Sequence, residues 1–491
     1  MGLQGLWKLI EPAVDCSQSM TELAVTKGFN AHPNLGVYRI GIDASIWIEQ
    51  IQQNFTGQGH AQAGKNIELQ TLFYKLARLL TVCVQPIFVF DGPNRPSVKR
   101  GKKVFPAPHW MVGDFKEFAE AFGFHCHTAP GEAEAELALM NELGFIDAVL
   151  TEDSDAFVFG ARTVIRNISY VNNEARLKVY TAEALQTKLN VALTPTNLVL
   201  IAVLSGGDYD NVGLPGCGLT TACGLARYGL GDTLRRGVLG FEGDNYRDYM
   251  HEWRADLCHY LRDDPSGFIG RHNVHLSRNV PDDFPDPEIA RTYFAPLTSR
   301  YAPLVPLPMP RFPDVSAITR LCEMEFTFGT ELGILCKFRN VLWPGLLVRE
   351  LLEQAFAQEN GLRELPPSGL FDIEIKSIKE GTTKVKVHPR AIKYVVRKAL
   401  AQVRNGKDKF KGATGVNEAK SQTPRVFPVP TEILWRARPT DVAAFSNTSP
   451  HKRRHISTEI ASTSPCNIAV AKACTRVGSL PAAIIDLTAV E

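Results

Sequence analysis

Three short apolar runs, each closed by an acid, constrain this chain more than any other feature of its sequence. Ile40-Gly41-Ile42 is followed by Asp43, Ile87-Phe88-Val89-Phe90 by Asp91, and Ala148-Val149-Leu150-Thr151 by Asp153 and Asp155. Runs this short and this continuously apolar read as strands buried on both faces. Helical patterns accompany them: MVGDFKEFAEAFGF, then GEAEAELALMNELGF opening at Pro130-Gly131, then TPTNLVLIAVLSGGDYD starting after Thr194 with Pro195 in its first turn. Such alternation predicts an α/β fold, a mainly parallel sheet with helices on both faces. Ligands of these sheets collect outside the carboxyl ends of the strands, which is where the acids stand.

Glu132 and Glu134 begin a helix, whose N-terminus favours negative charge, and Asp208 closes the helical run ending Leu204-Ser205-Gly206-Gly207. Any one of these acids is an ordinary strand-end or cap residue. Seven on one edge of one sheet would raise each other's pKa values unless divalent cations neutralised them. Oxygen donors without paired His or Cys favour Mg²⁺ or Mn²⁺ over zinc. Carboxylate-held magnesium keeps several waters and acts on phosphates, so the residues predict two-metal phosphoryl chemistry.

The charge is distributed to match a polyanionic partner. Residues 361–491 hold 22 Lys and Arg against 11 Asp and Glu, a balance of +11, while residues 1–360 hold 32 against 41, a balance of −9. The acidic first part suits a nucleic-acid binder only if some of its carboxylates hold cations. At 491 residues, 44% hydrophobic and 22% charged, the chain can build two to four ordinary cores. Its ten cysteines are scattered without zinc spacing and read as reduced thiols. No membrane span is expected, because no run of 18 apolar residues occurs. MGLQGLWKLI has neither the basic start of a secretory signal nor, with Leu6 in place of Ser or Thr, a myristoylation signal, so an intracellular protein is expected.

The blocks MGLQGLWKLI, GIDAS, VFDGP, GEAEAE, TEDSDAFVFG and LSGGDYDNVGLPGCGLTTA, in that order from residue 1 to about 230, resemble the successive motifs of the XPG-type, flap-endonuclease superfamily. TEDSDAFVFGARTVIRN, FDGPNRPSVKRGKK and HTAPGEAEAELA are most similar to its fungal Holliday-junction resolvase branch. The resemblance implies a PIN-like sheet with Asp43, Asp91, Glu132 and Glu134 on one side of a metal pair and Asp153, Asp155 and Asp208 on the other. Glu136 has no counterpart role and is expected to be an exposed helix residue.

Lys99, Arg100, Lys102 and Lys103 follow a strand-end acid closely, where a scissile phosphate needs countercharge, and are candidate DNA contacts. They do not register with the arch Lys and Arg of flap endonucleases. Gly213, Gly216 and Gly218 allow backbone N–H groups to approach a phosphate. The resemblance makes this stretch the helix-two-turn-helix element that grips the uncut duplex arm, with a monovalent cation. Only 40 residues separate Asp91 from Glu132. Flap endonucleases carry a longer stretch there, which builds a cap that threads a free 5′ end. A four-way junction has no end to thread, so the short segment favours a resolvase.

The expected organisation is 1-105 and 106-210 for the N-terminal and internal nuclease regions, then 211-350 for the hairpin element and a helical extension. A small β+α module resembling a chromodomain follows at 365-440, and a Ser, Thr and Pro-rich disordered tail at 441-491. The hairpin LFDIEIKSIKEGTTKVKVHP and the helix AIKYVVRKALAQVR carry the module. In the tail, Lys452-Arg453-Arg454 reads as a short nuclear-localisation run and Ser449-Pro450 as a proline-directed kinase site, as does Thr423-Pro424 before it. Ala482–Thr488 resembles a SUMO-interacting strand.

The expected function is a magnesium-dependent nuclear endonuclease, with Mn²⁺ as substitute, resolving four-way junctions and related branched DNA in recombination and repair. Two-metal hydrolysis would leave a 5′ phosphate and a 3′ hydroxyl, and two opposed cuts imply a second protomer on the junction. One alternative is a flap endonuclease or 5′ exonuclease of the same superfamily, against which stand the short arch and the lack of a clamp-binding Q-x-x-[ILM]-x-x-[FY]-[FY] box. The other is a non-catalytic branched-DNA scaffold, against which stands the complete acid set.

Overall fold

In the computed structural model the described residues are 3–448 apart from 30–36, 54, 56–65, 100, 105–106, 172–173, 302–309, 327, 360–367, 380 and 405–422. Arg100 and the tail motifs Ser449-Pro450, Lys452-Arg453-Arg454 and Ala482–Thr488 therefore lie outside the described residues.

The apolar runs are strands, as their continuity predicts. In chain order the first nine are β1 (Val14–Gln18), β2 (Tyr38–Asp43), β3 (Val84–Phe90), β4 (Val98–Lys99), β5 (Lys102–Lys103), β6 (His125–Thr128), β7 (Ala148–Leu150), β8 (Thr163–Val171) and β9 (Glu174–Thr181). The main sheet runs β1-β9-β8-β7-β2-β3-β6. Its β8-β7-β2-β3-β6 portion is parallel, and β9 and β1 close it antiparallel. The sheet is thus mainly parallel, as expected, with the antiparallel edge beside the acid-bearing centre.

Alternate residues of β3 enter opposite cores, the consequence of burial on two faces. Phe88 and Phe90 pack with Trp47, Phe115 and Phe118, while Ile87 and Val89 pack with Leu137, Val149 and Leu200. In the parallel register Asp43 sits opposite Val89, and Ile42 opposite both Phe88 and Leu150. The three strands thus end within a residue or two of one another, and their acids stand at the same edge of the sheet.

The helix expected after Thr194 is Pro195–Ser205, with the Thr194 hydroxyl accepting from Asn197 N–H as its cap. Beyond it lie Leu219–Ala226 and the helical extension Leu230–Gly240, Gly243–Asp263, Val274–Arg278 and Pro287–Phe294. No helix among the described residues is long and apolar enough to cross a membrane.

The predicted hairpin is β10 (Phe371–Ile378) with β11 (Thr382–Pro389), and the sheet gains a third antiparallel strand, β12 (Arg425–Pro430). This small sheet is not a separate bead. Val385, Val387, Val396, Phe427 and Ile433 share one core with Trp343, Leu347 and Leu351 of the helix Trp343–Glu359. Arg404, at the end of the helix Ile392–Arg404, forms a two-pronged pair with Glu323 at 2.9 and 2.8 Å, and both side chains are only 7% exposed.

Breaking a buried pair strands one charge in a low-dielectric setting. Glu323→Ala should therefore lower unfolding stability by about 3–5 kcal/mol, and adding Arg404→Met should recover most of that loss. Denaturant titrations of the two variants check this.

Candidate active site

Backbone geometry at the strand ends sets the acids. Asp43 closes β2, and one of its carboxylate oxygens accepts from Ser45 N–H at 2.7 Å, starting the helix Ala44–Gln53. Asp91 follows β3 and accepts from Ala133 N–H and the Ser45 hydroxyl, each at 2.9 Å, with Arg95 paired to it at 3.3 Å. It therefore pins the start of the helix Ala133–Glu142, of which Glu132 is the N-cap. Past β7, Asp153 accepts from Asp155 N–H at 3.0 Å, and Asp155 accepts from Leu3 N–H at 2.8 Å. The N-terminal segment thus holds an acid from 152 residues away.

These elements enclose a cavity of about 320 Å³ lined by Asp43, Asp91, Glu132, Glu134, Asp153 and Asp208. Six of the seven predicted acids line it. Asp155 stands behind Asp153, buried, with no place on the wall. Oxygens of Glu134, Asp153 and Asp208 lie within 4.8 Å of one another, a spacing one cation can bridge.

The candidate DNA contacts divide. Lys99, on the short hairpin of β4 and β5, turns inward: its Nζ lies 3.0 Å from Glu132, 3.1 Å from Glu134 and 3.3 Å from Asp208. Lys102 lines the cavity mouth, and Lys103 is exposed. In the glycine stretch, Gly213 and Gly216 have φ of 59° and 91°, and Gly218 caps the helix Leu219–Ala226. A side chain at Gly213 would fall 2.5 Å from Gly206 N, so the loop returns tightly onto the end of the acid-bearing helix.

Glu136 corrects an expectation. It is fully buried rather than exposed, accepting from Ser299 N–H at 2.8 Å and bonded to His127 Nε2 at 2.8 Å. The helix that carries it is covered on nearly all sides, so no polar stripe marked the buried acid. Sequence reasoning also missed two tyrosines. The Tyr209 hydroxyl donates to Glu132, and Tyr293 OH accepts from Asp208 N–H at 3.1 Å, with the rings 4.6 Å apart. Tyr209 could have been suspected from its place beside Asp208; nothing in the sequence marks Tyr293.

Burial, with Asp91 close by, pushes the Asp43 carboxyl up to about 7. Burial also lifts Asp155 to about 7, with Asp153 and Asp208 adding repulsion. Glu134 and Asp153 are raised by the same burial. Burial disfavours the Lys99 ammonium, yet Glu134, Glu132 and Asp208 outweigh it and hold the amine well above its ordinary value. A charged amine is thus held among carboxylates that are costly to ionise without a cation, and it marks where one fits. Hard oxygen donors at this spacing suit Mg²⁺ or Mn²⁺.

Comparisons with known proteins follow the same outline. Residues 1–104 match the XPG N-terminal domain and residues 123–208 the XPG I-region. The chain is 27% identical over 280 residues to flap endonuclease GEN homolog 1 of Mus musculus, a match covering 53% of this chain but only 27% of that protein. It is similar to the solved eukaryotic junction-resolving enzyme GEN-1 with cesium, at TM-score 0.68 and 28% identity, covering 91% of this chain and 99% of that one. It is also similar to the Holliday junction-resolving enzyme GEN1 with product DNA, Mg²⁺ and Mn²⁺, at TM-score 0.64 and 27% identity over the same shares.

The raised acids give a signed pH dependence. Asp43 and Asp155 bind protons more readily folded than unfolded, where carboxyls titrate near about 4. Their contribution to stability is complete below that value and is lost as pH rises through about 7. In chelator, the melting temperature should therefore fall across this window, less steeply in Asp43→Asn, and Mg²⁺ added above pH 7 should restore it. A melting temperature indifferent to Mg²⁺ there would count against a metal site.

Proposed function

We propose that this chain, whose residues 1–104 and 123–208 match the XPG N-terminal domain and I-region, is a magnesium-dependent endonuclease that resolves four-way DNA junctions. The observation that carries the reading is that six of the seven predicted acids line one cavity with a lysine ammonium held among them. Similarity to junction-resolving GEN1 structures supports the substrate class.

Asp43, Asp91, Glu132 and Glu134 would hold one side of a metal pair, and Asp153 and Asp208 the other, with Asp155 fixing Asp153 from behind. Mg²⁺ held by these acids would supply an activated water and charge for the departing 3′ oxygen, chemistry that would leave a 5′ phosphate and a 3′ hydroxyl. The chain's own residues prepare the site. Arg95 and Ser45 hold one oxygen of Asp91 and Ala133 N–H the other, Tyr209 orients Glu132, and Lys99 brings positive charge to where a scissile phosphate arrives. The glycine loop at Gly213, Gly216 and Gly218 grips the uncut arm through backbone N–H groups, together with a monovalent cation.

The path from Asp91 to the helix Met111–Ala121 supports a junction over a flap. Its described residues form one two-residue-per-strand hairpin and no helix, too little for a cap around a threaded end. Two opposed cuts require two protomers on one junction. The domain divisions at 105, 210, 350 and 365, the likeness of 365-440 to a chromodomain, the nuclear location and the SUMO-binding tail belong to this proposal.

A closed immobile junction, which offers no strand end, should be cut on two opposed strands at related positions in Mg²⁺. A bulky block on the 5′ end of a flap should not prevent cutting. In a cruciform plasmid, linear product should exceed nicked product throughout the time course. Indifference to the closed junction, or stalling on the blocked flap, would replace this reading with a threading flap endonuclease.

A further inference from the structure

The segment between the helices Gly243–Asp263 and Pro287–Phe294 is built onto the glycine loop element at both ends. At one end Asp264 gathers it, with its carboxylate accepting from Tyr228 OH at 2.6 Å, Ile269 N–H at 3.1 Å and Gly270 N–H at 2.8 Å. Tyr228 stacks on Tyr260 at 4.2 Å, and the Arg227 guanidinium covers Phe268 at 3.9 Å. Arg227 and Tyr228 directly follow the helix Leu219–Ala226, which the glycine loop begins. Gly224 of that helix permits the contact, because a side chain there would fall 2.8 Å from Ile269 Cα. At the other end, Leu276 of the helix Val274–Arg278 lies over Gly216, 3.7 Å from where its side chain would start.

This rigid platform has an unusual charge for the acidic first part of the chain. Residues 265–281 contain no Asp or Glu. Arg271, His272, His275 and Arg278 are exposed on it. Two neighbouring arginines are paired: Arg247 with Asp244 at 2.7 Å and Arg262 with Asp263 at 2.8 Å. Arg271 and Arg278 have no carboxylate partner among the described residues. Two guanidinium groups kept clear of acids, on a surface locked beside a phosphate-gripping loop, fit the phosphodiester backbone of a duplex.

We infer that Arg271 and Arg278 form a second phosphate-binding track that carries the grip of the glycine loop further along the same duplex arm. The inference rests on the reading that the partner is DNA with duplex arms. The track contacts backbone rather than base edges, so it adds affinity without sequence preference.

The test uses the full-length protein, a plain duplex and a potassium chloride titration without divalent metal. Each lost phosphate contact should lower the slope of log affinity against log salt by about 0.9, so Arg271→Ala/Arg278→Ala should be shallower by about 2. Arg247→Ala/Arg262→Ala removes equal charge from paired sites and should keep the wild-type slope. At saturating protein in Mg²⁺, the first variant should cut at the wild-type rate, since neither arginine lies at the cavity. An unchanged slope, or an equal change in the control, overturns the inference. If the wild type fails to cut junctions, the proposed function falls, while the duplex slopes still decide this point.

Discussion

Mutual repulsion among buried carboxylates is the constraint on which this structure turns. Asp43, Glu134, Asp153 and Asp155 are all pushed upward by burial, and charges next to them add to the cost of ionising. Such a cluster is an expense for any fold unless a cation offsets it. Lys99 supplies one positive charge from a hairpin that reaches over the cavity, with three carboxylates within 3.3 Å of its ammonium. Three cations, Lys99, Arg95 and Lys102, against seven lining acids leave the site short of positive charge, and divalent ions are the natural complement.

The rest of the fold holds those acids in place against their repulsion. Parallel register sets Asp43 opposite Val89, two residues before Asp91, and Ser45 links the two acids by donating its N–H to one and its hydroxyl to the other. Backbone N–H groups then fix individual oxygens: Ser45 on Asp43, Ala133 on Asp91, Asp155 on Asp153, Leu3 on Asp155. Tyr209 donates to Glu132 and its ring meets that of Tyr293, whose hydroxyl accepts from Asp208 N–H, so that the helical extension and the acid-bearing parts share one set of contacts. The loop returning at Gly213 and the platform over Gly216 continue that linkage away from the cavity.

Much of this was legible in the sequence because strands buried on both faces leave an unmistakable pattern. The apolar runs before Asp43, Asp91 and Asp153 placed the sheet, and Pro195 after Thr194 placed the helix that ends near Asp208. What escaped depended on partners far along the chain. Glu136 looks like any helix-surface acid until Ser299, 163 residues away, bonds to it. Lys99 reads as one of a run of candidate DNA contacts, and only the hairpin turn sends it inward among the acids while Lys103 stays out. The small C-terminal sheet shows its alternation plainly, yet not the core it shares with Trp343 or the strand β12 recruited across a polar gap.

Diffraction from crystals soaked in Mn²⁺, recorded at the manganese absorption edge, tests the central claim most directly. The account predicts two anomalous peaks in the cavity, one near Asp43, Asp91, Glu132 and Glu134 and the other near Asp153 and Asp208, with the Lys99 ammonium drawn away from the acids. A cavity without manganese, and Lys99 still bridging Glu132, Glu134 and Asp208, would show that the lysine alone balances the cluster and would contradict a metal-dependent site.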